Sequence, residues 1–175
     1  CYGGAARAII YFLVHDGWNK IIVCNRTFDK IKNIDKIIYQ DNIQTIKSNM
    51  PHSKKEKDVQ FFTKKHHHTI VEVIELKDLY KHTNTANLII NTTPVNILNS
   101  SNKWNISPHC EGFDVVYKPR GGTGFLNHFN PINRIEGIYM LIQQAVPCFY
   151  EWYGINPKID KNLLKVLFKK MDEIK

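Results

Sequence analysis

No run of eighteen apolar residues occurs in the sequence, so nothing in it reads as a membrane span. A charged-then-apolar leader of the secretory kind is also missing, and the expectation is a soluble, cytoplasmic chain. The cysteines, at positions 1, 24, 110 and 148, form no C-x-x-C pair and are too sparse for a disulfide scaffold. That points to a reducing compartment and to structural thiols. Metal-ligand spacing is lacking too. His66, His67 and His68 stand in a row, so on a strand neighbouring rings would point to opposite faces, and no cysteine or acidic partner sits at helical spacing. No metal site is expected, and no internal repeat is present.

What is there suits one domain: 175 residues with a hydrophobic fraction of 43% can bury a core. A formal net charge of +8 would suit an anionic partner, whether nucleic acid, membrane surface or phosphorylated small molecule, and charge alone does not choose. Much of it lies in "KSNMPHSKKEKDVQFFTKKHHHT", where lysine and histidine replace apolar periodicity over about residues 47–68. That stretch reads as a solvated insertion or surface loop. A nucleic-acid binder would need basic residues patterned with exposed aromatics, and the insertion offers only "VQFFTKK". No nucleic-acid partner is therefore expected.

Ala5 to His15, "AARAIIYFLVH", combines good helix formers with apolar residues at three- and four-residue steps, and Gly17 stops it. Lys20 to Cys24 is a short β-branched run of the kind a parallel strand requires. A helix is expected over Phe28 to Tyr39, a strand over Thr69 to Ile74, and a short helix in "ELKDLYKH". Strands are expected in "ANLIINTTP" and "GFDVVYKP", and helices in "GTGFLNHF", from Gly137 to Tyr153 and from Lys161 to Met171. This alternation predicts an α/β fold: a Rossmann-like, doubly wound and mostly parallel sheet. The chain opens inside the first turn with no strand before it, so the first strand is expected to be missing from these residues.

A dinucleotide site needs a glycine where the strand turns, another where backbone meets pyrophosphate, and a small residue where helix packs on sheet. Those places fall at Cys1, Gly3 and Ala6, with Gly4 beside the second. Amides of the helix starting here would point at phosphate, and the helix dipole would favour its charge. The second strand then runs into Asn25-Arg26-Thr27, with Lys30 a turn on, where an NAD site would carry Asp or Glu. Arg26 offers a planar, permanent cation to a 2′-phosphate, and Asn25 and Thr27 can donate hydrogen bonds, which predicts NADP rather than NAD. Thr27 can equally serve as the N-cap of a following helix, and both roles can coexist.

"GGAARAIIYFL", "NRTFDK", "NLIINTTPVN", "DVVYKP", "GTGFL" and "GIYMLIQQAVPCFYEWYG" occur in this order. Together they resemble the shikimate dehydrogenase family, including the corresponding terminal domain of the multifunctional shikimate-pathway protein of fungi. The resemblance implies that residues 1–175 form an NADP-binding domain whose N-terminal substrate domain lies outside this chain. It also implies the reversible, NADP-dependent reduction of 3-dehydroshikimate to shikimate, a small-molecule substrate, in aromatic amino acid biosynthesis. Within it Gly3, Gly4 and Ala5 would cradle pyrophosphate, and Asn25, Arg26, Thr27 and Lys30 would surround the 2′-phosphate. Thr93, Val115, Gly137 and Met140 would lie round the nicotinamide, while Tyr117 and Gln144 would reach the substrate. Met140 is also a plain core position in "GIYMLI". Gln144 sits on a face expected to be apolar, where an unpartnered amide would be costly to bury.

The family's proton-transferring Lys and Asp come from the substrate domain, so no catalytic acid or base is assigned here. Three departures stand out: Cys1-Tyr2 for the usual Gly-Ala, Asn96 for a loop glycine, and Tyr139 for a second glycine near the nicotinamide. The Tyr139 ring would crowd the site if it faced the cofactor and be harmless in a helix interface. Quinate dehydrogenase and a non-catalytic regulatory homologue of the quinate pathway are the alternatives. Other domains of a longer chain are possible partners.

Overall fold

The computed structural model describes residues 3–27, 31, 44–46, 57–62, 68–98, 104–117 and 123–173. The chain divides into two compact units, Cys1–His82 and Thr83–Lys175, where one was expected. Among the described residues the strands likewise form two sheets, with no strand bridging them.

The first unit begins with α1, Gly4–Asp16, which buries Ala6, Ile10 and Val14, one residue per turn. Gly17 ends it in the left-handed region at φ 86°, with its N–H on the carbonyls of Leu13 and Val14, a conformation that only glycine adopts without strain. Strand β1, Lys20–Asn25, follows and pairs in parallel with β4, His68–Glu75, with Ile21 opposite Val71 and Val23 opposite Val73. Ile10, Val14, Ile21, Ile31, Val71 and Val73 make one apolar core, flanked by Leu13, Trp18 and Val23. Lys20 Nζ lies 2.5 Å from the Glu72 carboxylate, which keeps that largely buried charge paired.

On its other edge β4 carries an antiparallel hairpin, β3 (Lys57–Phe62) beside it and β2 (Gln44–Ile46) beyond. The stretch expected as a solvated loop thus supplies a strand. "KDVQFF" holds β-branched and aromatic residues, and pairing with an open sheet edge outweighs its charge. The expected helix over 28–39 falls outside the described residues, Ile31 excepted. A 3-10 helix, Leu76–Lys81, stands where the short helix was expected.

In the second unit β5 (Leu88–Asn91), β6 (Glu111–Asp114) and β7 (Arg134–Glu136) lie in that order, all parallel. Three residues of mixed polarity gave β7 no sequence signal. "GTGFLNHF" yields only a 3-10 turn, Leu126–His128, since Phe125, Leu126 and Phe129 are all drawn inward. Gly112 is close-packed: a side chain on it would enter the Phe129 ring. Helix α2, Gly137–Tyr153, ends at Gly154 with φ 66°. Helix α3, Lys161–Glu173, starts with the Asp160 carboxylate accepting from the Leu163 N–H at 2.9 Å. Ile138 and Ile142 of α2 pack with Met171 of α3, flanked by Ile159, Leu164, Leu167 and Phe168.

Candidate cofactor site

In the first unit the site begins at the N-terminus of α1. Gly3 precedes the helix in extended conformation, and no side chain caps the helix there. The first backbone bond is from the Arg7 N–H to the Gly3 carbonyl at 3.1 Å, which leaves the amides of the opening turn aimed outward. A Cβ on Gly3 or Gly4 would meet nothing within 4 Å. Among the described residues this corner is therefore open, as a diphosphate requires, while the small Ala6 is buried.

Helix α1 turns back at Gly17 and packs along β1. A 13-residue helix and a 6-residue strand are each roughly 20 Å long, so the start of α1 and the end of β1 share one edge of the unit. Arg26 and Thr27 are exposed on that edge, whereas Asn25 is buried at 7% exposure. The two residues past the strand, rather than the asparagine, present their side chains to solvent. Lys30 lies outside the described residues.

Next to this edge, burial pushes the Cys24 thiol up to about 11 and outweighs a backbone hydrogen bond that pulls it down. A thiol held neutral in the folded chain, with an ordinary value of 9.0, contributes stability below pH 9 that is lost as pH rises toward 11. Thiolate absorbance should therefore show Cys24 titrating about two units late. Cys148 is exposed, Cys24 half-buried and Cys110 buried, so of these three a thiol reagent at pH 8 is expected to label Cys148 first and Cys110 only on unfolding.

In the second unit Thr93, Val115 and Gly137 come together where β5 and β6 end and α2 begins. The Val115 N–H donates to the Asn91 carbonyl at 3.0 Å. Gly137 is forced by closeness: a Cβ there would overlap the Val115 carbonyl and stand 2.7 Å from the Asp114 carbonyl oxygen. The Thr93 side chain is used locally. Its hydroxyl accepts from the Val95 N–H, and its oxygen lies 2.8 Å from both Asn91 Oδ1 and the Val95 carbonyl oxygen, which share its one proton. What Thr93 presents outward is backbone and methyl rather than a free hydroxyl.

Met140 is half-buried one turn into α2, and Tyr117 is exposed beyond β6. Gln144 is exposed, which corrects the expectation that it sits on an apolar face: the buried residues of α2 are Gly137, Ile138 and Ile142. Solvent meets its amide, so burial gives no reason for a partner. Tyr139 stands edge-on to Phe168 of α3, ring centres 6.3 Å apart, the harmless arrangement of the two. Asn96 makes its turn from the side chain, its Oδ1 accepting from the Leu98 N–H at 3.0 Å.

One part of this region was missed by sequence reasoning. Asn91, Asp114 and Thr123 are buried polar residues at 1%, 1% and 6% exposure, and they border a small hollow of about 40 Å³ that Pro94, Val95 and Phe125 also line. For Asn91 and Asp114 the signal was a polar residue ending a strand, "LIIN" and "EGFD".

The family described as shikimate / quinate 5-dehydrogenase matches residues 2–106. A shikimate dehydrogenase (NADP(+)) of Bartonella henselae is 29% identical over 98% of this chain and 52% of its own length. That of Bartonella quintana is 30% identical with the same coverage. That of Rhizobium meliloti is 27% identical over 97% of the chain and 51% of its own length. The chain thus spans about half the length of the curated relatives it matches. No solved structure matches it. With more than half its residues under the family's pattern, and that pattern's glycine corner and strand ends in place, the chain belongs to the shikimate / quinate 5-dehydrogenase family.

Proposed function

We propose that residues 1–175 are the cofactor-binding part of an NADP-dependent shikimate dehydrogenase that reversibly reduces 3-dehydroshikimate to shikimate. The observation that carries this reading is the uncapped start of α1 on the same edge as exposed Arg26 and Thr27. Bare amides and a helix dipole suit a pyrophosphate, and a guanidinium suits a second phosphate a ribose away. No Asp or Glu stands just past β1 to take the ribose hydroxyls of NAD.

Gly3, Gly4 and Ala5 hold the pyrophosphate through backbone N–H groups. Arg26 and Thr27, with Asn25 and Lys30 beside them, hold the 2′-phosphate. Thr93, Val115, Gly137 and Met140 form the nicotinamide wall, and Tyr117 and Gln144 approach the substrate from the cofactor side. When bound, NADP supplies the hydride chemistry. This chain's part is to orient and to exclude water. The proton that accompanies the hydride is assigned to a Lys and Asp pair of a substrate domain outside these residues. Among the described residues β1 and β5 each lie at the edge of their own sheet.

The test is Arg26→Ala in the full-length protein. A charge-assisted hydrogen bond is worth about 1.5–3 kcal/mol, so preference for NADP over NAD should fall by about 10- to 100-fold, with NAD binding little changed. An unchanged ratio of the two affinities overturns the NADP assignment. Turnover of quinate in preference to shikimate would reassign the substrate and leave the cofactor reading intact.

A further inference from the structure

We infer that Asp114, with Asn91 and Thr123, is a positioning group that fixes the backbone of the nicotinamide wall rather than a proton donor. The inference rests on the cofactor reading above.

Asp114 is buried at the end of β6, and among the described residues no cation pairs with it. It is instead surrounded by donors. Its Oδ1 accepts from the Asn91 amide at 3.1 Å and from the Val116 N–H at 3.1 Å, and its Oδ2 accepts from the Thr123 hydroxyl at 2.5 Å. Both carboxylate oxygens are thus occupied by donors of the chain itself. Those donors come from three separate segments: the end of β5, the peptide after β6, and the turn that leads into Phe125.

Asn91 carries the restraint across to the next loop. Its Oδ1 accepts from the Thr93 N–H at 3.0 Å, and its Nδ2 lies 3.2 Å and 3.0 Å from the carbonyls of Thr93 and Val95. That amide has two protons facing three oxygens, Asp114 included, so its orientation is fixed from both sides. The peptides held in this way are Thr93–Val95 and Val115–Val116. One includes Thr93, the other Val115, and Gly137 packs on the Val115 carbonyl without room for a methyl. All of the restraint acts in the second unit. The Gly3 corner and Arg26, which are assigned to the adenosine end, belong to the first.

This separation makes the inference testable by binding alone. In the full-length protein, Asp114→Asn and Thr123→Val are compared with the unmodified protein for affinity toward NADPH and toward adenosine 2′,5′-bisphosphate, which lacks the nicotinamide end. Expected is a loss of about tenfold or more for NADPH, with the bisphosphate unchanged within about twofold. Steady-state kinetics should show the same split, with kcat falling further than its pH profile moves. A shifted acid limb in that profile would make Asp114 a proton-transfer group and overturn the inference. Should Asp114→Asn give no soluble protein, Thr123→Val, which removes one hydroxyl and keeps the shape, decides on the same criterion. If the unmodified protein binds both ligands and the variant weakens neither, or both alike, the positioning role falls and the cofactor reading stands. If the unmodified protein binds neither ligand, the cofactor reading itself falls and takes the inference with it.

Discussion

Alanine at position 137 is expected to lower the melting temperature by about 2–12 °C and to abolish measurable nicotinamide-dependent turnover. The new Cβ would overlap the Val115 carbonyl and stand 2.6 Å from its carbon and 2.7 Å from the Asp114 carbonyl oxygen. These are backbone atoms of β6 and of the peptide after it, held by the parallel ladder to β5 and β7, so they have no rotamer to yield with. Overpacking of this kind costs about 1–3 kcal/mol, more where backbone must move, and each kcal/mol shifts the midpoint by about 2–4 °C in a chain of this size. The helix could retreat instead, but that would carry Ile138 and Ile142 away from Met171. Differential scanning calorimetry reads the first effect, and NADPH oxidation by the full-length protein the second. A variant with unaltered melting temperature and kcat would mean that the junction of β6 and α2 is looser than its packing implies.

The sequence made α1, β1, β4 and α2 legible within a residue or two, because each has one dominant signal. Ile10 and Val14 repeat at helical spacing before a glycine that closes the helix, and "KIIVC" is too short and too β-branched to be anything but a strand. What failed had competing signals. "KDVQFF" sits between runs of lysine and histidine, so composition spoke for a loop while local propensity and a free edge of β4 favoured a strand. Arg134–Glu136 holds a single apolar residue, and only its place beside β6 makes it a strand.

The candidate site divides in the same way. Glycines and the Asn-Arg-Thr were legible because phosphate binding demands particular residue types at fixed places along the chain. The Asn91, Asp114 and Thr123 cluster was not, since it joins residues up to 32 apart and each alone is an ordinary polar strand end or turn. Gln144 shows the converse. A polar residue in an apolar-looking helix suggested a buried function, yet the packed side of α2 is narrower than its composition implies. Hydrophobic residues beyond Ile142, such as Trp152 at 75% exposure and Tyr153 at 63%, lie in the open.

Residues 1–175 by themselves are expected to give no measurable shikimate oxidation, while retaining weak affinity for adenosine 2′,5′-bisphosphate. Hydride transfer to a carbonyl needs a group that exchanges a proton with the substrate oxygen, worth about 10²- to 10⁴-fold in rate. Asp114 is committed to three donors, and Tyr117 is an exposed side chain past a strand end. Sheet continuity works in the same direction. Within the described residues β1 pairs only with β4, and β5 only with β6, so two apolar parallel strands each leave a row of amides and carbonyls unpaired. Parallel strands are stable when both edges and both faces are covered, so the 1–175 chain should unfold at low denaturant and bind an aggregation-reporting dye. The comparison is with the full-length protein under the same conditions, by assay of NADP reduction and by a urea titration. Turnover by residues 1–175 within tenfold of the full-length rate would place the acid and base inside this chain, and would require a reassignment of Asp114 or Tyr117.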